Sequence, residues 1–201
     1  MPEITHFIPA SGSLPNGYQE VLNWRVTGKP GRVIAVQILG VFSLVIFGVI
    51  FSGLAVTLGK SPTQGEFGLR EIGVVFVGIL LALVLHELTH GLVMQTYGAK
   101  PKYGILWKGP MLYATSPGYA YRRNDYVVIA LAPFVLISAL VILGMWLLQG
   151  TLWVLLLGLC GIFNASGAIG DVWMTMIVLR YPTPAYVIDE RDGIRVFLPK
   201  S

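Results

Sequence analysis

Residues 72–95 read IGVVFVGILLALVLHELTHGLVMQ, and apart from His86, Glu87 and His90 nothing in them ionises. At 1.5 Å rise per residue such a run is long enough to cross the ~30 Å apolar core of a bilayer as a helix. Three more stretches have this character. Residues 33–58 and 126–148 carry no charge, and residues 152–179 carry only Asp171. A backbone facing lipid must satisfy its own hydrogen bonds, so each stretch is expected to be helical, with a kink at Pro133 in the third. The whole chain agrees: of 201 residues 55% are hydrophobic and only 12% charged, and the mean hydropathy is +0.71. Soluble domains average about 25% charged residues. A soluble enzyme and a disordered segment are both excluded. The lone Cys160 and the absence of Cys/His clusters exclude a disulfide scaffold, a zinc finger and an iron–sulfur protein.

The basic residues orient the spans. Four spans put both termini and the 96–125 loop on one side, which holds 12 of the 14 Lys and Arg, while Lys60 and Arg70 lie on the other. The positive-inside rule then puts both termini in the cytoplasm of a multi-pass cell-membrane protein. The net charge of +4 is accounted for by topology and attraction to anionic lipid, leaving no patch for nucleic acid. No hydrophobic signal core precedes residue 33, so no cleaved signal peptide is expected. Residues 13–27 (SLPNGYQEVLNWRVT) are expected to form an interfacial helix, with Tyr18, Val21, Leu22 and Trp24 against the membrane. Residues 103–115 are expected to form a hairpin split by Lys108-Gly109-Pro110, and residues 186–198 a second one turning at Asp192-Gly193. The expected fold is an all-α polytopic membrane protein, residues 1–201 forming a single domain. It has four transmembrane helices, an interfacial N-terminal helix and small cytoplasmic β-hairpins.

Ionisable residues inside a membrane cost roughly 2.5–3.5 kcal/mol each on insertion scales, which makes them functional candidates. His86-Glu87-Leu88-Thr89-His90 is an HExxH on a helix. Positions i and i+4 share a face, so both imidazoles can grip one metal ion. Glu87, about 100° round the helix from His86, is positioned to act as general base on a water. Thr89 reads as a packing residue. A catalytic zinc takes three protein ligands and keeps one position open. His6 lies in the N-terminal tail and reads as a solvated histidine. Asp171 is the other ionisable residue within a span, and its depth fits. It lies about 12 Å from the cytoplasmic end of its span, against roughly 14 and 8 Å for His86 and His90. The helix carrying Asp171 has small residues at Gly158, Gly161, Ala165, Ser166, Gly167 and Gly170 for close packing. Asn164, two turns before Asp171 on nearly the same face, is either a substrate or oxyanion contact or an interhelical polar clamp.

With His86-Glu87-Leu88-Thr89-His90-Gly91, Tyr97-Gly98-Ala99-Lys100-Pro101, Ala132-Pro133 and Gly170-Asp171, the chain resembles the site-2 protease group of intramembrane metalloproteases. More closely, it is similar to a family of small four-helix prokaryotic membrane proteins described as zincin peptidases. The resemblance implies zinc, one ion per chain, on His86, His90 and Asp171, with Glu87 activating water. The chain departs from the site-2 pattern at Gly167, where that pattern has proline, and at Val172, where it has glycine. The expected function is a zinc-dependent intramembrane endopeptidase that cuts membrane-protein or peptide substrates near the cytoplasmic leaflet. The rival reading is a non-catalytic, client-binding scaffold with a structural metal site, and the intact glutamate argues against it. The 103–115 hairpin would either offer an edge strand to an unwound substrate or anchor at the lipid surface.

Overall fold

The computed structural model describes residues 11–26, 28–59, 68–106 and 111–200. His6, Lys60 and the Lys108–Pro110 turn lie outside them. Along the chain come β1 (Tyr18–Arg25), α1 (Pro30–Leu58), α2 (Leu69–Thr96), β2 (Lys102–Leu106), β3 (Met111–Thr115) and β4 (Ala120–Arg122). Then follow α3 (Arg123–Leu147), α4 (Trp153–Gly167), α5 (Ile169–Val178), β5 (Tyr186–Glu190) and β6 (Gly193–Pro199). The protein is mostly helical. Four helical segments are long and apolar enough to cross a membrane: α1, α2, α3, and α4 with α5 together. The outer faces of α1 and α2 are apolar and open, as at Val56 (81% exposed), Val49 and Phe76.

Helix starts follow local chemistry. Pro30 opens α1, where its missing N–H costs nothing. The Glu71 carboxylate accepts the Gly68 N–H at 2.9 Å at the start of α2. Helix α4 packs against α1, α2 and α3, and its small residues allow this. A Cβ at Gly161 would overlap the Phe51 ring of α1, and one at Gly78 of α2 would meet Leu156 of α4. The small-residue ridges of the sequence are thus contact surfaces.

The fourth segment is not one continuous helix. It breaks at Ala168 (φ −68°, ψ 0°), between Gly167 and Gly170. Glycine holds a helix weakly, so the ladder loosens there and Asp171 begins a new helix in its first turn.

The β-structure is more than two hairpins. Strands β2 and β3 pair as expected, but the tail hairpin joins β1 and β4 in a four-stranded antiparallel sheet of order β1-β6-β5-β4. Residues 18–25 are therefore a strand and not the interfacial helix expected from sequence. Leu22 and Trp24 turn inward while Asn23 and Arg25 stay outside, and a bulge between Glu20 and Leu22 resets the register. β6 supplies the pairing partner, some 170 residues away, that the local pattern could not reveal. The sheet covers the end of the bundle where α2 and α5 finish and α3 begins. Trp24, Met94, Tyr126, Ile129, Val178, Val187, Ile194 and Val196 form one buried cluster there.

The tail turn is Arg191-Asp192, one residue earlier than expected, because Gly193 already pairs with Glu190 and with Arg25. Glycine is needed for proximity: a Cβ on Gly193 would overlap the Trp24 carbonyl and crowd Arg25 Cα. Both obstacles are backbone, so Gly193→Ala must part β1 from β6. We expect it to cost about 1–3 kcal/mol of stability, read as a lower unfolding temperature in detergent.

Candidate metal centre

The HExxH stretch lies in the C-terminal half of α2, with both histidines buried. Their rings sit edge to face with centroids 5.0 Å apart, as i,i+4 spacing requires. Asp171 meets them from α5. Its Oδ2 lies 3.1 Å from His86 Nε2 and its Oδ1 3.4 Å from His90 Nε2. One ligand atom from each of the three residues falls within 4.8 Å of the others, and among the described residues no other such cluster occurs.

The second ring nitrogens decide the chemistry. His86 Nδ1 is 3.0 Å from Asn164 Oδ1, and His90 Nδ1 is 3.0 Å from the Ile129 carbonyl oxygen. Both oxygens can only accept, so each Nδ1 carries a proton and each Nε2 is the nitrogen turned towards the Asp171 carboxylate. Nitrogens facing a carboxylate at these distances are held by a cation between them, either a proton on the ring or a metal ion. A single divalent ion satisfies all three donors, and imidazole with carboxylate suits zinc. The donor set therefore fits the metal that the spacing implied.

Both acceptors trace to α3. Pro133 lacks an N–H, so the carbonyl four residues earlier, Ile129, has no helical donor and is free for His90. Asn164 is 0% exposed. Its amide group donates to the Pro133 carbonyl at 3.3 Å and to Ser138 Oγ at 3.4 Å, which turns Oδ1 towards His86. These contacts are those of the interhelical clamp, one of the two sequence readings, and they place Asn164 behind His86. Pro133→Ala restores an N–H that competes for Ile129. We expect about 10-fold weaker zinc binding in a chelator competition, the helix remaining intact. Unchanged affinity would mean that the Ile129 carbonyl serves both donors.

Glu87 lies beside the triad without joining it, and its carboxylate accepts the Ala114 N–H of β3. The hairpin can come this close because Gly91 follows the motif; a Cβ there would overlap the Tyr103 hydroxyl. Thr89 points away and donates to the Leu85 carbonyl at 2.7 Å, the packing role expected of it. Glu87, His90 and Asp171 line one cavity of about 180 Å³, walled by α2, α3, α5, β3 and the β5–β6 turn.

Two lining residues had not been singled out from sequence. The Tyr126 hydroxyl hydrogen-bonds the Asp189 side chain across this cavity. Burial pushes the Asp189 carboxyl up to about 7, against the opposing pull of the Thr115 hydroxyl and His90. An acidic residue at the inner end of an otherwise buried strand, Tyr186–Glu190, is the signal that could have marked it.

Residues 79–186 match the family DUF3267, described as "Putative zincin peptidase". The chain is 29% identical over 116 residues to an "Uncharacterized 24.7 kDa protein in gap 5'region" of Pyrococcus woesei. That alignment covers 56% of this chain and 49% of the relative, so the chain spans about half the length of the curated protein it matches. No solved structure matches. The family match takes in more than half of the chain, including every residue of the triad and Glu87, and the chain belongs to this zincin-peptidase family.

Proposed function

We propose that the protein is a zinc-dependent intramembrane endopeptidase, related in mechanism to the site-2 proteases, that hydrolyses membrane-associated substrates near the cytoplasmic leaflet. The observation that carries this reading is the convergence of His86, His90 and Asp171, from helices apolar enough to span a membrane, beside an unligated Glu87. Zinc on the three ligands would supply a Lewis acid that polarises the scissile carbonyl and makes water acidic near neutral pH. The Glu87 carboxylate takes the proton of the attacking water and returns it to the leaving amine. Asn164 and the Ile129 carbonyl hold the two imidazoles so that neither ring must reorganise. Ala114 orients Glu87 through its N–H, and the same strand edge would receive a locally unwound substrate. The 12-to-2 distribution of Lys and Arg supports cytoplasmic termini. Packing of the sheet at the same end of the bundle supports a site opening to that side.

The test is cleavage of a pool of single-span membrane proteins in proteoliposomes, followed by mass spectrometry of the fragments. Cuts within or beside the spans, lost on chelation and restored by zinc, are expected. Chelator-insensitive cleavage, or none by protein with its metal in place, would sink the reading.

A further inference from the structure

Besides Glu87 and Asp171, the cavity is lined by the carboxylates of Asp189, Glu190 and Asp192. Two of these three are already matched by cations. Glu190 pairs with Arg195 at 2.8 Å and with Arg25 at 3.6 Å, and Asp192 pairs with Arg25 at 3.4 Å. Arg191, the one Lys or Arg lining the cavity among the described residues, stacks over the Tyr113 ring at 5.7 Å. Asp189 differs. The Tyr126 hydroxyl meets its side chain, the Thr115 hydroxyl donates to its backbone carbonyl at 3.1 Å, and among the described residues no Lys or Arg lies within ion-pair distance of it. The two hydroxyls hold Asp189, one at its backbone and one at its side chain, in the cavity that also holds Glu87 and His90. A carboxylate in a partly dry site with no Lys or Arg beside it is open to a cation, and burial raises the Asp189 carboxyl accordingly.

We propose that Asp189 is a specificity-determining residue that receives a Lys or Arg side chain of the substrate close to the bond being cut. This rests on the peptidase reading above. A basic side chain is the cation a membrane substrate most readily brings, because the cytoplasmic flanks of spans are rich in Lys and Arg. The amino terminus of a peptide offers the same charge, and the test separates the two sources.

The full-length Glu87→Gln protein, in detergent with its metal, is titrated with fluorescent nonapeptides and binding is followed by anisotropy. The pair to compare is N-acetylated, with lysine or uncharged norleucine at the centre; a third peptide carries norleucine and a free α-amine. Lysine is expected to bind at least about 10-fold tighter than norleucine, as a charge-assisted contact in a dry site requires. Asp189→Asn, which leaves the Thr115 bond to the backbone carbonyl in place and keeps an acceptor for Tyr126, should bring the two within about 2-fold. Glu190→Gln should leave the preference standing, since that carboxylate is already paired. A lysine preference that survives Asp189→Asn, no preference at all, or no binding of either peptide would overturn the proposal. So would an Asp189-dependent gain for the free α-amine alone, which would assign the group to a peptide terminus. Binding needs no turnover, so an Asp189-dependent preference without cleavage by protein retaining Glu87 would sink the peptidase reading and leave Asp189 only as a binding site for a basic side chain.

Discussion

Replacing Glu87 by glutamine is expected to lower peptide-bond cleavage by roughly 10³-fold while zinc content stays at the wild-type level. A positioned general base contributes about 10²–10⁴ to such a reaction, and a neutral amide cannot take the proton. The amide oxygen of Gln still accepts the Ala114 N–H, so the contact between β3 and α2 survives. The three converging ligand atoms belong to His86, His90 and Asp171, so the metal site loses nothing. Initial rates on a common membrane substrate, beside elemental analysis of the same preparation, decide the matter. Loss of zinc from this variant would make Glu87 a ligand and overturn the division of roles. Retained activity would remove it from the chemistry.

His86→Ala and His90→Ala are expected to lose the metal outright, well beyond the ~10–100-fold that removal of an outer hydrogen-bonding partner costs. Each change removes one of three donors and also strands an acceptor, Asn164 Oδ1 in one case and the Ile129 carbonyl in the other. Asn164→Leu is the graded counterpart. It leaves all three ligands but frees the His86 ring, so zinc affinity should fall into that 10–100-fold range. Competition against a chromophoric chelator separates the two classes. Equal losses for Asn164→Leu and His86→Ala would mean that Asn164 does more than orient its neighbour.

The four apolar segments and the HExxH were legible because their information is local. A charge-free run of span length and an i,i+4 pair need no knowledge of the rest of the chain. Asp171 was legible by depth, since the membrane reduces a three-dimensional question to one coordinate. The N-terminal strand was not. YQEVLNWR satisfies both a helical and an alternating pattern over so few residues, and β6 decides between them. The Ile129 carbonyl was present in the sequence in a form not used: a proline inside a helix names the acceptor four residues before it. Asp189 acquires meaning only when the tail sheet brings β5 against Tyr126 and Thr115, a long-range event that strand alternation alone does not encode. The break at Ala168 belongs between these cases, since Gly167 and Gly170 flank it while the place where the helix yields is set by packing.

Elemental mass spectrometry of detergent-purified protein tests the two-histidine, one-aspartate zinc site without any substrate. Wild-type protein should carry about one zinc per chain, and Asp171→Ala, purified alongside it, should carry little. Stoichiometric zinc retained by Asp171→Ala would remove Asp171 from the site. Carefully purified wild-type protein with no metal would contradict the account as a whole.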